Sequence, residues 1–442
     1  MTPSVLLSPS SSPSLTIVIA GGGNATHVLC GLLGQNPDYT IRLWDVMPAE
    51  VDTWQKNLAA NENKVRLNNL AEGERMVFDG TVSAISTDAK DVLPGADLLL
   101  IAVPAFAHEV YLKGAVPFAS PKLAVGCMVA EGGFDWQLRD IFEDMFPHMV
   151  TFAMETLPWC EGTALVPLAS YVSPLMHSLL YVNRACRLAE YGRSADIKGT
   201  KDVVHVAITP ESATDDVLSF LNSAISVKSR PLLKASGNYM APTLMNINAY
   251  FHPAIVYKEF EDWDGSTPYP EVPLFYEGVT EAGGELLQKM SDEYTAVKEA
   301  VNQSHPEVNL RTVFPVKQFF FNAYANDITD STSLARAMNT NKGYQGLKHT
   351  MEPAPGGNGL VPSWKARYLT EDIPFGLVPI KGIAQCVSVP TPSIDMVIRW
   401  CQKRMGKEYI VGDKLAGKDI AESRCPQRYG FDSMDAMITV VK

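Results

Sequence analysis

The chain has 442 residues, of which 46% are hydrophobic and 19% charged, and a formal net charge of −12. That length predicts roughly two to three globular domains, with cores large enough to need no disulfide or metal staple. The acidic balance, with no basic run, argues against nucleic acid or an anionic membrane surface as main partner, yet leaves room for a small anion held by local arginines. Cys30, Cys127, Cys160, Cys186, Cys386, Cys401 and Cys425 are odd in number and never at CxxC spacing. They predict no disulfide framework and no metal site, and fit reduced thiols in a cytoplasmic protein.

Residues 1–14, rich in Ser and Pro, read as a disordered tail; they lack the basic region of a secretory signal and the arginines of a transit peptide. "LTIVIAGGGNATHVLCGLL" then runs from a β-branched strand through glycines into an apolar helix. Gly21, Gly23 and Thr26 fall on G-x-G-x-x-G/A spacing, with Thr in the last place. The first glycine permits the tight turn, the second lets a pyrophosphate approach, and the helix N-terminus faces the phosphates. Thr26 departs from the pattern and predicts slightly looser packing of helix on strand. The next strand, "YTIRLWD", ends at Asp45, where a carboxylate would take ribose hydroxyls and repel a 2′-phosphate, so NAD is expected over NADP.

"TVSAIST", "ADLLLIAVP", "KLAVGCMVA" and "MVTFAMETL" read as further strands separated by helices, which predicts a parallel sheet covered on both faces. The run "DLLLIAVPAFA" is too short to cross a bilayer. "LLLIAVPAFAHEV" resembles the fourth strand and turn of many dehydrogenases, with the backbone at Val103, Pro104 and Ala105 passing near a dinucleotide. His108, just beyond, reads as a surface or helix-start residue. After "KDVVHVAITPESATDDVLSFLNSAI" the strands stop, and from about Met240 the apolar period is helical. The expected architecture is therefore an α/β Rossmann-type domain over residues 15–239, followed by an all-α domain over 240–442, with substrate meeting cofactor in the cleft between them. "NINAYFHPAIVYKEF" places His252 in a helix that reads as buried. By its residues alone it is either a packed core or cap histidine or a group that moves a proton.

Several stretches, in this order, resemble the opine (octopine/nopaline) dehydrogenases: "GGGNATH", "METLPW", "FHPA", "ARYLTEDIPFGLVPIKGIA" and "VPTPSIDMVI". The resemblance implies NADH-dependent reductive condensation of an amino acid with pyruvate or a similar 2-oxo acid, regenerating NAD in anaerobic glycolysis. It implies that Gly21, Gly22, Gly23 and Asn24 form the cofactor loop. His252 is then the catalytic acid/base, a role suited to an unperturbed imidazole pKa of about 6.5. Asp372 is its carboxylate partner, and Arg367 reaches the cofactor pyrophosphate. Glu155 seats the amino acid and Thr156 helps place the oxo acid, with a structural salt bridge as the alternative for Glu155. Glu131, after the preceding strand, is expected to line the same cleft. Of the rival acids, Glu371 should point elsewhere, and Asp330 reads as a helix N-cap. The branch of the family with this pattern is often monomeric, and no membrane partner is expected.

One segment departs from the resemblance. Residues 161–183, "EGTALVPLASYVSPLMHSLLYVN", form an apolar insertion beside the substrate loop, with no Lys or Arg. It reads as a lid, as a partner surface or as translated intron. Two other functions stay open beside opine formation: a dehydrogenase for another small oxo or hydroxy acid, and a non-catalytic NAD-binding protein.

Overall fold

The computed structural model describes residues 14–70, 75–160, 186–197, 199–325 and 327–438. The tail over residues 1–14, apart from Ser14, and the insertion over 161–183 lie outside the described residues. The chain forms two compact units, whose described parts fall within 14–160, 186–242 and 438 for the first and within 243–437 for the second. Among the described residues no helix is long and apolar enough to cross a membrane.

The first unit is built on strands β1 (Leu15–Ala20), β2 (Tyr39–Trp44), β3 (Lys64–Asn69), β4 (Met76–Thr81), β5 (Ala84–Ser86), β6 (Leu98–Ile101), β7 (Ala124–Cys127), β8 (Thr151–Met154), β9 (Trp159–Cys160), β10 (Cys186–Glu190), β11 (Ser194–Ile197), β12 (Gly199–Thr200), β13 (Val203–Thr209) and β14 (Leu232–Ala235). Its helices are α1 (Asn24–Leu33), α2 (Pro48–Ala59), α3 (Ala89–Val92), α4 (Ala105–Ala115), α5 (Phe134–Phe142) and α6 (Thr214–Ala224). The main sheet runs β14-β13-β8-β7-β6-β1-β2-β5. Its six strands from β5 to β8 are parallel, in the doubly wound order of dinucleotide-binding domains. β13 turns antiparallel to β8 and carries β14 beside it.

The uninterrupted apolar runs of the central strands β6 and β7 follow from burial on both faces. Ile17, Ile19, Leu98 and Leu100 enter one core, while Val18, Ala20, Leu99 and Ile101 enter the other. Strand reading does not stop at α6, as the sequence led us to expect, because "LLKA" adds β14. A second sheet, β10-β11-β3-β4, was also not anticipated. It packs on α1, which is therefore buried from Thr26 through Leu33 between two sheets. A helix apolar all round belongs in such a place.

The second unit is helical, with two short antiparallel strand pairs, Met351–Pro353 with Leu360–Pro362 and Ile410–Val411 with Lys414–Leu415. Its helices include α7 (Ile247–Phe260), α8 (Glu281–Ser304), α9 (Val316–Tyr324), α10 (Leu334–Asn339), α11 (Arg367–Thr370), α12 (Val378–Cys386) and α13 (Pro392–Met405). α7 is central: it packs on α8, α11, α13 and a π-helical turn at Ile373–Leu377, and it is buried without interruption from Ala249 to Val256. Asp330 does not cap α10. Ser333 does, accepting from the Arg336 N–H, while Asp330 binds the Thr332 N–H and pairs with the Arg336 guanidinium at 3.0 Å. The helix simply begins three residues later than a cap at Asp330 would place it.

Candidate active site

In the first unit the glycine loop sits where β1 and β6 end side by side, the point at which strand order reverses. Gly21 has φ +106°, and a Cβ there would lie 2.4 Å from Val103 Cγ1, so no other residue fits the turn. Gly22 backs onto the Asp45 carboxylate, with 2.5 Å between a hypothetical Cβ and Oδ2. Gly23 differs from both: it has an ordinary φ of −79°, is exposed, and a Cβ there would meet nothing within 4 Å. It stands at the N-terminus of α1, where no side chain caps the helix and no acid occupies the first turn. Asn24 opens that turn. The open space and uncapped N–H groups fit a pyrophosphate. Thr26, expected to loosen the packing, is wholly buried and donates its hydroxyl to Gly21 O at 2.9 Å. The extra atoms tie the helix back to the loop.

His27 is buried and holds the loop from behind. Nε2 accepts the Gly192 N–H at 2.6 Å, which leaves Nδ1–H to donate to Gly23 O at 2.8 Å. Its ring lies on Trp54, with centroids 4.1 Å apart. Burial pushes its pKa down to about 4, against the opposing Gly23 bond, so it stays neutral and keeps that tautomer. Asp45 ends β2 only 5% exposed, with Oδ1 accepting the Met47 N–H at 2.9 Å. Burial pushes its pKa up to about 6; the Met47 bond and Tyr111 oppose this and Glu50 adds to it. Val103 packs on Gly21, and Pro104 precedes α4. His108 is not a surface residue. It is fully buried, bonded through Nε2 to Val103 O at 2.9 Å, and so braces the same loop.

The expected substrate residues also lie in this unit. Ala130 N–H bonds to Met154 O, so Glu131 and Glu155 leave adjacent strand ends. Glu131 sits at φ 56°, a conformation uncommon outside glycine. Glu155 Oε1 accepts the His205 N–H and faces His205 Nδ1, both at 3.0 Å. Thr156 accepts a hydrogen bond from Lys201 Nζ. His205 and Lys201 were not singled out from the sequence, and nothing near them in the chain signals a pairing across so many residues.

In the second unit Asn246 caps α7 by accepting the Ala249 N–H, and His252 follows in the second turn, 2% exposed. Its Nδ1 lies 2.8 Å from Asp372 Oδ2. Its Nε2 lies 3.1 Å from the Tyr276 hydroxyl, and its ring rests on Tyr368 with centroids 4.1 Å apart. The π turn makes the Asp372 contact possible. Pro374 has no N–H to donate, the Leu377 N–H reaches back five residues to Asp372 O at 2.9 Å, and Gly376 lets this turn press on Ala249 of α7. Asp372 is 5% exposed. Its pKa is pushed well above the ordinary carboxylate range by burial first and Glu371 second, with Arg367 pulling it down. Arg367 itself pairs with Glu371. The structure thus brings together His252, Asp372, Arg367 and Glu371 in one unit, and the glycine loop, Asp45, Glu131, Glu155 and Thr156 in the other. Tyr368 was legible in principle, since helical spacing puts it on the same face as Asp372. Tyr276, in an irregular loop, was not.

Comparison with known proteins adds an independent line. Residues 235–405 match the family model described as NAD/NADP octopine/nopaline dehydrogenase, alpha-helical domain. The chain is 35% identical to an opine dehydrogenase of Haliotis discus hannai, over 97% of this chain and 99% of that one. Among solved structures it resembles octopine dehydrogenase with NADH and L-arginine, at 32% identity and a TM-score of 0.85, over 97% of this chain and 99% of the other. A structure of octopine dehydrogenase with NADH and pyruvate superposes at a TM-score of 0.82 with 31% identity, over the same shares. On this identity and coverage, the chain belongs to the octopine/nopaline dehydrogenase family.

Proposed function

We propose that the chain is an NADH-dependent opine dehydrogenase, joining an amino acid to pyruvate or a similar 2-oxo acid and reducing the imine to a secondary amine. The observation that carries this reading is the buried His252–Asp372 pair at 2.8 Å, in a family member whose other unit holds an open glycine loop. Bound NADH supplies a hydride to the imine carbon, and His252 supplies the proton. Asp372 accepts from Nδ1–H, which fixes the tautomer and supports the imidazolium. Arg367, paired with Glu371 here, would hold the cofactor pyrophosphate when it is bound. Asp45 takes the ribose hydroxyls and favours NADH over NADPH.

Glu155 seats the amino acid's ammonium group through the oxygen that His205 does not use. Thr156, steadied by Lys201, helps place the oxo acid, and Glu131 lines the same region. A monomer at work in the cytoplasm is part of this reading. It rests on the resemblance and, among the described residues, on Cys30, Cys127, Cys386, Cys401 and Cys425 forming no disulfide.

The test is NADH consumption with pyruvate and a panel of arginine, alanine, glycine, taurine and β-alanine, with the product identified by mass. A secondary-amine dicarboxylate, or its sulfonate counterpart with taurine, is expected. NADH consumption by an oxo acid alone, unchanged by any amino acid, would replace this reading with a simple oxo-acid reductase.

A further inference from the structure

We propose that Tyr276 is a positioning residue for the proton transfer, holding Nε2 of His252 in both of its protonation states; this rests on the acid/base reading of His252. Asp372 takes one ring nitrogen, so chemistry must pass through the other, and that nitrogen faces the Tyr276 hydroxyl at 3.1 Å. A hydroxyl suits the place because it both donates and accepts. While the imidazole is neutral, Tyr276 O–H donates to Nε2. Once Nε2 carries a proton, the hydroxyl turns and accepts it. Neither an ammonium nor a carboxylate can serve both states. Tyr276 therefore keeps the ring aimed before and after the proton moves, and yields Nε2 when substrate arrives.

The hydroxyl is held by construction. The Tyr276 ring stacks on Tyr344, with centroids 3.9 Å apart and planes at 16°. The backbone beyond it is clamped by Asn339, whose side-chain amide donates to the carbonyls of Tyr276, Glu277 and Val279 at 3.0, 3.1 and 3.1 Å. The preceding residue, Phe275, donates its N–H to Leu347 O at 2.7 Å and sets its ring edge-on to His252. A tyrosine needed only to fill space would not require its oxygen at this point, because the ring stack alone fills it.

Tyr276→Phe keeps the stack and removes the hydroxyl. We expect kcat to fall roughly tenfold to a hundredfold, the scale of one hydrogen bond to a charged group, with KM for NADH unchanged. The bond lost is stronger to the imidazolium than to the neutral ring. The imidazolium therefore loses more, and the limb of the pH–rate profile that reports His252 should move to lower pH. A purely structural tyrosine would leave that limb in place.

In the unsubstituted protein the nitrogen-15 resonance of Nε2 should report a hydrogen-bonded nitrogen, and a free one would overturn the inference even if the variant failed to fold. His252→Ala separates the two levels. If it is inactive while Tyr276→Phe matches the parent in rate and pH profile, only the role of Tyr276 is wrong. If it retains turnover, the acid/base reading fails as well.

Discussion

Asp372 and Asp45 are both buried carboxyls with raised pKa values, yet they bear on different measurements. Asp372 is committed to His252 at 2.8 Å. In Asp372→Asn the neutral amide offers either an oxygen or an N–H to Nδ1, so the tautomer is no longer fixed and the imidazolium loses its counter-charge. Kinetic assay should show kcat reduced by about 10²- to 10⁴-fold with NADH binding intact. Asp45, pushed up to about 6, is charged only above that pH. Ribose hydroxyls donate to the charged form, so NADH affinity should fall as pH drops through about 6 and level off above it. The apo protein moves the other way. A carboxyl whose folded pKa lies above its unfolded value of about 3.9 costs the fold progressively as pH rises from the lower value through the higher one. Fluorescence titration of NADH against pH checks this, and Asp45→Asn should flatten the curve. His27 does not confuse the NADH titration near pH 6, since its pKa is pushed down to about 4 and it is neutral there; in the apo protein its lowered pKa opposes the Asp45 contribution between about 4 and 6.5.

Elements decide whether those residues meet. The π turn at Ile373–Leu377 brings Asp372 to α7 only because Gly376 carries no side chain; a Cβ there would lie 2.4 Å from Ala249 Cβ. Gly376→Ala must push the two segments apart, and a misplacement of about 1 Å at a catalytic group can cost about 10²-fold in rate. We expect kcat to drop by about that factor, and Gly376→Ala combined with Ala249→Gly to recover part of it. Steady-state kinetics of the single and double variants test the contact.

The elements also show what could be read in advance. The central parallel strands β6 and β7 were legible because both faces are buried and the runs are unbroken, and α1 because it is apolar nearly all round. Strand β3, "KVRLNN", alternates openly and pairs with the nearby β4, yet its other partner, β11, lies more than a hundred residues away in sequence. Pairing of that range leaves no local signal. The same holds for Tyr276 and His252, which meet through an irregular loop that no periodicity describes, whereas His252 with Asp372 could be matched only through resemblance.

At the scale of the molecule, the proposed cofactor loop and the proposed proton donor lie in different units, and their roles can be tested apart because fold, binding and chemistry depend on different atoms. Gly21 is needed by the fold itself, whereas Gly23 has an ordinary backbone angle and no neighbour within 4 Å of a Cβ. Gly23→Val should therefore still fold, losing about 1 kcal/mol because Val is a poorer N-cap than Gly. Its branched side chain would occupy the space over the uncapped end of α1, and NADH affinity should fall at least about tenfold. His252→Ala should do the reverse, leaving NADH binding unchanged and abolishing turnover. In that variant, NADH at about a hundred times its Kd should still stabilise the protein by about 2.7 kcal/mol, as in the parent, while Gly23→Val should lose at least about half of that gain at the same concentration. Thermal unfolding with and without NADH reads both variants on one scale. If His252→Ala lost the ligand-dependent gain, the histidine would be serving the cofactor site or the fold rather than the proton, and the assignment of chemistry to the second unit would have to be withdrawn.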